Sequence, residues 1–275
     1  MKTLYVSDLD GTLLNNSQKL SGFTKSVINN LAENDILFSY ATARSYSSAH
    51  KAADGITIGI PLIVYNGTFI VNNLTGERLV SNYFNGDIVA IIKELIDCGI
   101  NPIVYSIIDG KEKFSYIKSR CNESQNDFIK SRKGDDRDNP VNYEIDLLQG
   151  SIFYISCIDR KDCLEPFYNK YKDEFNCLFQ NDIYSDYQWL EFMPEKATKA
   201  NAILNLKEML CCDRVVAFGD GINDVPMFRI ADECYAVSNA ADELKRFATS
   251  VIAANNDDGV AKWLVENVIQ MKTVK

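Results

Sequence analysis

The sequence predicts an α/β protein: a doubly wound parallel sheet of the Rossmann-like kind, assembled from both ends of the chain, with an α+β domain inserted between the two halves. Three observations carry this prediction. Short apolar runs such as Leu4-Tyr5-Val6 and Val215-Val216-Ala217-Phe218 alternate with helical patterns at both ends, as strands buried on both faces of a parallel sheet do. Several of these runs stop at a polar or Gly-Asp cluster. The middle, residues 83–188, has another texture, richer in charge, Asn and aromatic residues.

The elements follow in order. The first strand, Leu4 to Val6, ends at Ser7-Asp8. Residues 24–34 predict a helix with Val27, Ile28 and Leu31 on one face. Ile36 to Ala41 is a second strand ending at Thr42, and Leu62 to Tyr65 a third ending at Asn66-Gly67. In the middle, 87–97 reads as a helix, 102–107 and 151–158 as strands, and the polar stretch from Lys130 to Pro140 as a loop. Residues 199–210 predict a helix, and Val215 to Phe218 a strand ending at Gly219-Asp220. Cys234 to Val237 and Val251-Ile252 give weaker strand signals. The expected domains are a core of residues 1–82 and 189–275 and an insert of residues 83–188.

Composition narrows the function. Among 275 residues, 46% are hydrophobic and 24% charged, a balance that supplies a core and excludes a disordered chain. With 29 basic and 38 acidic residues the net charge is -9. That field disfavours nucleic acid and anionic membranes as partners. An anionic substrate would need a local cation. No apolar run reaches the roughly 20 residues of a membrane span, and the N-terminal apolar stretch is too short for a secretory signal. The expectation is a cytoplasmic protein, monomeric or weakly dimeric. Eight cysteines include no CxxC pair, and the one histidine is His50. Zinc spacing is therefore missing, and the cysteines read as reduced core residues. His50 has no Ser or Cys partner in a recognisable motif and reads as a surface helix residue.

Four segments carry chemistry. Asp8-Leu9-Asp10-Gly11-Thr12-Leu13-Leu14 follows the first strand. Ligands of open parallel sheets bind at the carboxyl ends of strands, and two carboxylates two residues apart can reach one site. Gly11 permits a sharp turn. One aspartate can act as nucleophile and the other as general acid and base. Ala41-Thr42-Ala43-Arg44 ends the second strand and places a hydroxyl there, a hydrogen-bond donor without negative charge. Glu191-Phe192-Met193-Pro194-Glu195-Lys196-Ala197-Thr198-Lys199-Ala200 places a lysine at a helix start. Gly219-Asp220-Gly221-Ile222-Asn223-Asp224 is an acidic loop at a strand end, a hard-oxygen site of the type Mg²⁺ prefers.

Taken in this order, the four segments resemble the motifs of the haloacid dehalogenase superfamily, most of whose members are phosphohydrolases. The insert's length and its place between the second and third motifs are similar to the large α+β cap of the Cof-type subfamily. Asn66-Gly67 resembles an Asn-Gly of that subfamily near the cap hinge. The resemblance implies Asp8 as nucleophile, Asp10 as general acid and base, and Thr42 and Lys199 as phosphoryl contacts. It implies Mg²⁺ on Asp8, the Asp10 backbone carbonyl and Asp220, with Asp224 behind them or bound through water. It adds Arg44, Asn66, Gly67 and Asn223 as substrate-binding residues. Two departures stand out: Ala43 where relatives usually have Gly, and Lys196 where they often have Gly, which makes Lys196 a competitor for the role of Lys199.

The implied activity is hydrolysis of a small phosphorylated metabolite, a sugar phosphate first, with a nucleotide or vitamin phosphate also compatible. An aspartyl-phosphate would be the intermediate. The alternatives are a phosphotransferase similar to the phosphomannomutases and a sugar-phosphate-binding regulatory protein without turnover. Asp10 and the full acidic loop suit phosphoryl chemistry better than dehalogenation. Specificity is expected from the cap, where Tyr105, Phe114, Tyr116, Tyr184, Tyr187 and Trp189 are mostly core, with one or two in a pocket.

Overall fold

The computed structural model describes residues 1–181 and 187–270. The chain divides into two units, Met1–Ser81 with Ala197–Lys275, and Asn82–Lys196. The first unit begins with β1 (Thr3–Ser7), whose Leu4 and Val6 are fully buried. A tight loop over Leu9–Leu13 follows, broken from helical geometry at Asp10 and Gly11. Ser21 caps α1 (Gly22–Glu33) by accepting the Thr24 N–H at 2.9 Å, as an N-cap serine should. Thr24, Val27, Ile28 and Leu31 form the buried stripe of α1. Next come β2 (Leu37–Tyr40) and α2 (Tyr46–Ala52), on which His50 is exposed.

The third apolar run lies beside β2 in the expected parallel sense but shares only one bridge with it among the described residues. It forms β3 (Leu62–Val64), which folds back through Tyr65-Asn66-Gly67 to pair antiparallel with β4 (Phe69–Val71), itself paired with β5 (Arg78–Ser81). One bridge, Ala41 to Ile63, links this small sheet to β2. The reversal into β4 is made at the turn, where Tyr65, Asn66 and Gly67 all have positive φ.

The second unit opens with α3 (Ile88–Asp97) and the antiparallel pair β6 (Ile103–Ile108) and β7 (Lys111–Ile117). It continues through α4 (Glu123–Ser131), β8 (Asp138–Val141), β9 (Ser151–Asp159), α5 (Lys161–Tyr171), β10 (Asn176–Asn181) and β11 (Gln188–Met193). The strands form one six-stranded sheet in the order β10-β11-β9-β6-β7-β8. Ile88, Ile91, Ile92 and Leu95 of α3 and Leu164, Phe167 and Tyr171 of α5 share a core with Val104, Ile155, Cys157, Leu190 and Phe192 of the sheet. Tyr105, Phe114 and Tyr116 are buried and lie ring against ring, while Trp189 stacks edge-on to Phe128 of α4. Tyr187 is half-buried, and Tyr184 lies outside the described residues.

Two expectations about this unit are corrected. The polar stretch 130–140 is not all loop, because Asp138–Val141 pairs in parallel with β7 at the sheet edge, where Pro140 is tolerated. The core does not resume at 189, because β11 pairs with both β9 and β10 inside the second unit's sheet.

The first unit resumes with α6 (Lys199–Met209), β12 (Arg214–Gly219), α7 (Val225–Ile230), β13 (Glu233–Val237), α8 (Asp242–Lys245), β14 (Ser250–Ile252) and α9 (Gly259–Leu264). Its five-stranded sheet is parallel throughout, in the order β14-β13-β12-β1-β2. Helix α1 packs with α9 and α6 with α7. The chain runs from β1 outward to β2, and later from β12 outward to β14. The sheet therefore reverses its winding between β1 and β12, the place where such sheets open a crevice for ligands. Among the described residues no helix is long and apolar enough to cross a membrane, and all eight cysteines are free. Cys211-Cys212 ends α6: the N–H of Cys211 bonds to Glu208 and that of Cys212 to Lys207.

Candidate active site

Asp8 is the first residue past β1, and its N–H still bonds to the carbonyl of Phe218 on β12 at 2.9 Å. Its side chain thus leaves the sheet at the switch point. Asp220 leaves the neighbouring strand one residue after Gly219. The carboxylates of Asp8, Asp220 and Asp224 come together, with one oxygen of each within 4.8 Å of the others. Gly11 makes this approach possible. Its φ is +75°, and a Cβ there would sit 2.2 Å from Asp220 Oδ2. The hydroxyl of Thr12 donates to Asp220 Oδ1 at 2.8 Å. Sequence reasoning gave Thr12 no role, although it stands in the quoted segment.

The loop after β12 is closed by Asp224. Its Oδ2 accepts the N–H groups of Asp220 at 2.9 Å and Gly221 at 3.0 Å. Its Oδ1 accepts Lys199 Nζ at 2.6 Å, and the same ammonium donates to Asp8 Oδ1 at 2.6 Å. Lys199 is 2% exposed. It stands at the first position of α6, after Thr198, whose hydroxyl caps the helix by accepting the Asn201 N–H at 3.0 Å. A cation there opposes the helix dipole, and a buried ammonium demands compensation. Both costs are met by the two carboxylates. Lys196 is exposed.

The electrostatics follow from this packing. Burial pushes the Asp8 carboxyl well above the usual carboxylate range; Lys199 opposes the shift, and Asp224 and Asp220 add to it. Burial, then the Asp224 charge, pushes Asp220 up to about 6. Burial alone would weaken the Lys199 ammonium, but Asp224 and Asp8 outweigh it and hold the lysine charged. Three carboxylates share one ammonium, so the cluster carries excess negative charge that a divalent cation would match.

A second group gathers at the end of β2. Thr42 is fully buried, and its Oγ1 accepts the Arg44 N–H at 3.1 Å. The N–H of Asn66 bonds to the Thr42 carbonyl at 2.8 Å. Asn66 has φ +53° and is 3% exposed; its Oδ1 accepts from Asn223 Nδ2 at 3.4 Å, and its own Nδ2 is buried with no acceptor among the described residues. Gly67 brings this turn onto α6: at φ +98°, a Cβ would lie 2.2 Å from the Thr198 carbonyl oxygen. Arg44 turns its fork to Asp10, with Nε to Oδ2 at 2.7 Å and Nη2 to Oδ1 at 2.5 Å. The Asp10 carboxylate therefore lies on Arg44 and not in the acidic cluster.

Comparison with known proteins adds a family. A family model described as haloacid dehalogenase-like hydrolase matches residues 5–264. Two Bacillus subtilis proteins named 5-amino-6-(5-phospho-D-ribitylamino)uracil phosphatase are similar over nearly the whole chain. YwtE is 27% identical, covering 94% of this chain and 95% of its own, and YitU is 23% identical, covering 96% of each. A haloacid dehalogenase-like hydrolase from Bacteroides thetaiotaomicron shares the fold, with a TM-score of 0.78, 22% identity and coverage of 97% of this chain and 99% of its own.

Proposed function

The chain belongs to the haloacid dehalogenase-like hydrolases and is a phosphatase of the Cof-type kind, and from that premise we propose that it hydrolyses a small phosphorylated metabolite through an aspartyl-phosphate on Asp8. The observation that carries this reading is the position of Lys199: a buried ammonium at a helix start, 2.6 Å from both Asp8 and Asp224. A lysine so placed neutralises one nucleophile oxygen and the anion that nucleophile must approach.

The donor set fits Mg²⁺. It is all oxygen and carries excess negative charge; Asp8, Asp220 and the backbone carbonyl of Asp10 would hold the ion directly, and Asp224, whose two carboxylate oxygens are already engaged, would act through water. When bound, Mg²⁺ supplies charge neutralisation at the phosphoryl oxygens. Thr12 fixes the orientation of Asp220, as groups behind a ligand do.

The chain's own residues do the rest. Asp8 attacks phosphorus with the oxygen that Lys199 does not hold. Thr42 accepts from the Arg44 amide, which leaves its proton for a phosphoryl oxygen. The buried Nδ2 of Asn66 offers a second donor, its orientation set by Asn223. Asp10 protonates the leaving alcohol and then takes a proton from water. The substrates named for YwtE and YitU favour a sugar- or polyol-like phosphate, and the acidic chain suits a cytoplasmic enzyme. Phosphate release from a panel of phosphorylated metabolites, with Mg²⁺ and with EDTA, tests the reading. Turnover should need the metal and vanish in Asp8→Asn; substantial turnover in that variant refutes the nucleophile assignment.

A further inference from the structure

Arg44 is tethered at four points besides Asp10. Its N–H donates to Thr42 Oγ1 at 3.1 Å, and its carbonyl accepts the Tyr65 N–H at 2.9 Å. Nη1 lies 3.5 Å from Ser48 Oγ, and Nη2 donates to Gln18 Oε1 at 3.1 Å. Its side chain is 19% exposed, against 46% for Asp10. The arginine is the fixed partner and the aspartate the held one. The two arms of the fork differ. Among the described residues Nε binds Oδ2 alone, whereas Nη2 shares itself between Asp10 Oδ1 and Gln18. If Oδ1 leaves, Nη2 keeps a partner.

We propose that Arg44 is a positioning residue for Asp10: Nε–Oδ2 is a pivot, Nη2–Oδ1 a releasable arm, and Gln18 accepts the N–H that the release frees. The inference rests on the phosphatase reading. In the first half-reaction an Asp8 oxygen bonds to phosphorus as the bond from phosphorus to the alcohol oxygen breaks, and that oxygen takes a proton from the Asp10 carboxyl. In the second, a water oxygen bonds to phosphorus, the Asp8–phosphorus bond breaks, and the water proton returns to Asp10. Both transfers need one Asp10 oxygen aimed and unblocked, which a pivot on the other oxygen provides. A planar fork suits this and a lysine does not.

The test compares two substrates that share the phosphate and differ in the leaving group: the best alkyl phosphate of the panel and p-nitrophenyl phosphate, whose weakly basic leaving group needs little proton donation. The parameter kcat/KM reports the first half-reaction. Arg44→Lys should lower it about 10- to 100-fold on the alkyl phosphate and under about 3-fold on p-nitrophenyl phosphate, since proton donation is nearly all that the fork controls. Adding Arg44→Lys to Asp10→Asn should cost nothing further, because residues acting as one unit are not additive. Gln18→Ala, at an exposed position, should move the alkyl phosphate alone by about 2- to 5-fold, the scale of one hydrogen bond, and covers the case in which Arg44→Lys does not fold. Equal losses on both substrates, or a multiplicative double variant, would place Arg44 on the phosphate and overturn the inference. Wild-type turnover untouched by either Arg44→Lys or Gln18→Ala overturns it and spares the phosphatase reading. A wild type inert on every phosphate with Mg²⁺ overturns both.

Discussion

Replacing Lys199 by Met removes one ammonium and keeps the bulk of the side chain. Two charge-assisted hydrogen bonds at 2.6 Å disappear, each worth about 1.5–3 kcal/mol. The sum agrees with the 3–5 kcal/mol that breaking a buried ion pair costs. The expected loss at pH 7.5 is about 4 kcal/mol, or roughly 10 °C in melting temperature for a chain of this size. The sign of the pH dependence follows from the carboxylates. Asp8 and Asp220 bind protons more readily folded than unfolded, and a protonated carboxyl no longer needs the ammonium. The deficit should therefore shrink on acidification to pH 5.5. The assay is calorimetry of wild type and variant in EDTA at the two pH values. A melting temperature within a degree of wild type at pH 7.5, or a deficit that grows in acid, would refute the claim that Lys199 neutralises the cluster.

Two further outcomes are expected. Gly11→Ala would force a methyl group to within 2.2 Å of Asp220 Oδ2 at φ +75°; it should weaken the proposed Mg²⁺ binding at least about tenfold, and calorimetric titration showing unchanged affinity would contradict the close approach. Glu191, half-buried on β11, is pushed up to about 7 by burial, against the hydrogen bond from Tyr154 and the Arg132 charge. Its folded state binds a proton that the unfolded chain has lost, so this contribution to stability is present below about pH 4.5 and disappears as pH rises through 7. Glu191→Gln should flatten the melting-temperature profile between pH 5 and 8, and an unchanged slope there counts against the assignment.

The parts of the site legible in sequence are those encoded at element ends. Asp8, Thr42, Lys199 and Asp220 each follow or open a periodic segment, and their order along the chain is that of the four motifs. The Asp10–Arg44 pair was not legible, because partners 34 residues apart are chosen by side-chain direction, which leaves no periodic trace. The orphaned amide of Asn66 was hidden for the same reason. Strand β8 was missed because Asp-Asn-Pro-Val has little strand preference and pairs only through its neighbour β7, a case of tertiary context overriding propensity. Strand β11 misled in the other direction: Leu190, Phe192 and Met193 are fully buried, and their run resembles a strand of the parallel core.

The central strand pair has a consequence for how the protein reaches its native state. Thr3 on β1 lies opposite Arg214 on β12, so the two strands that carry Asp8 and Asp220 meet only after more than two hundred residues have been made. Contacts this distant in sequence are slow to form, since loop closure must be completed before they stabilise anything. The insert has its own sheet and core within one continuous segment, and synthesis from the N-terminus delivers it before β12. Until β12 emerges from the ribosome, β1 has one exposed edge, and the carboxylates of the candidate site, Asp8 and Asp220, cannot meet.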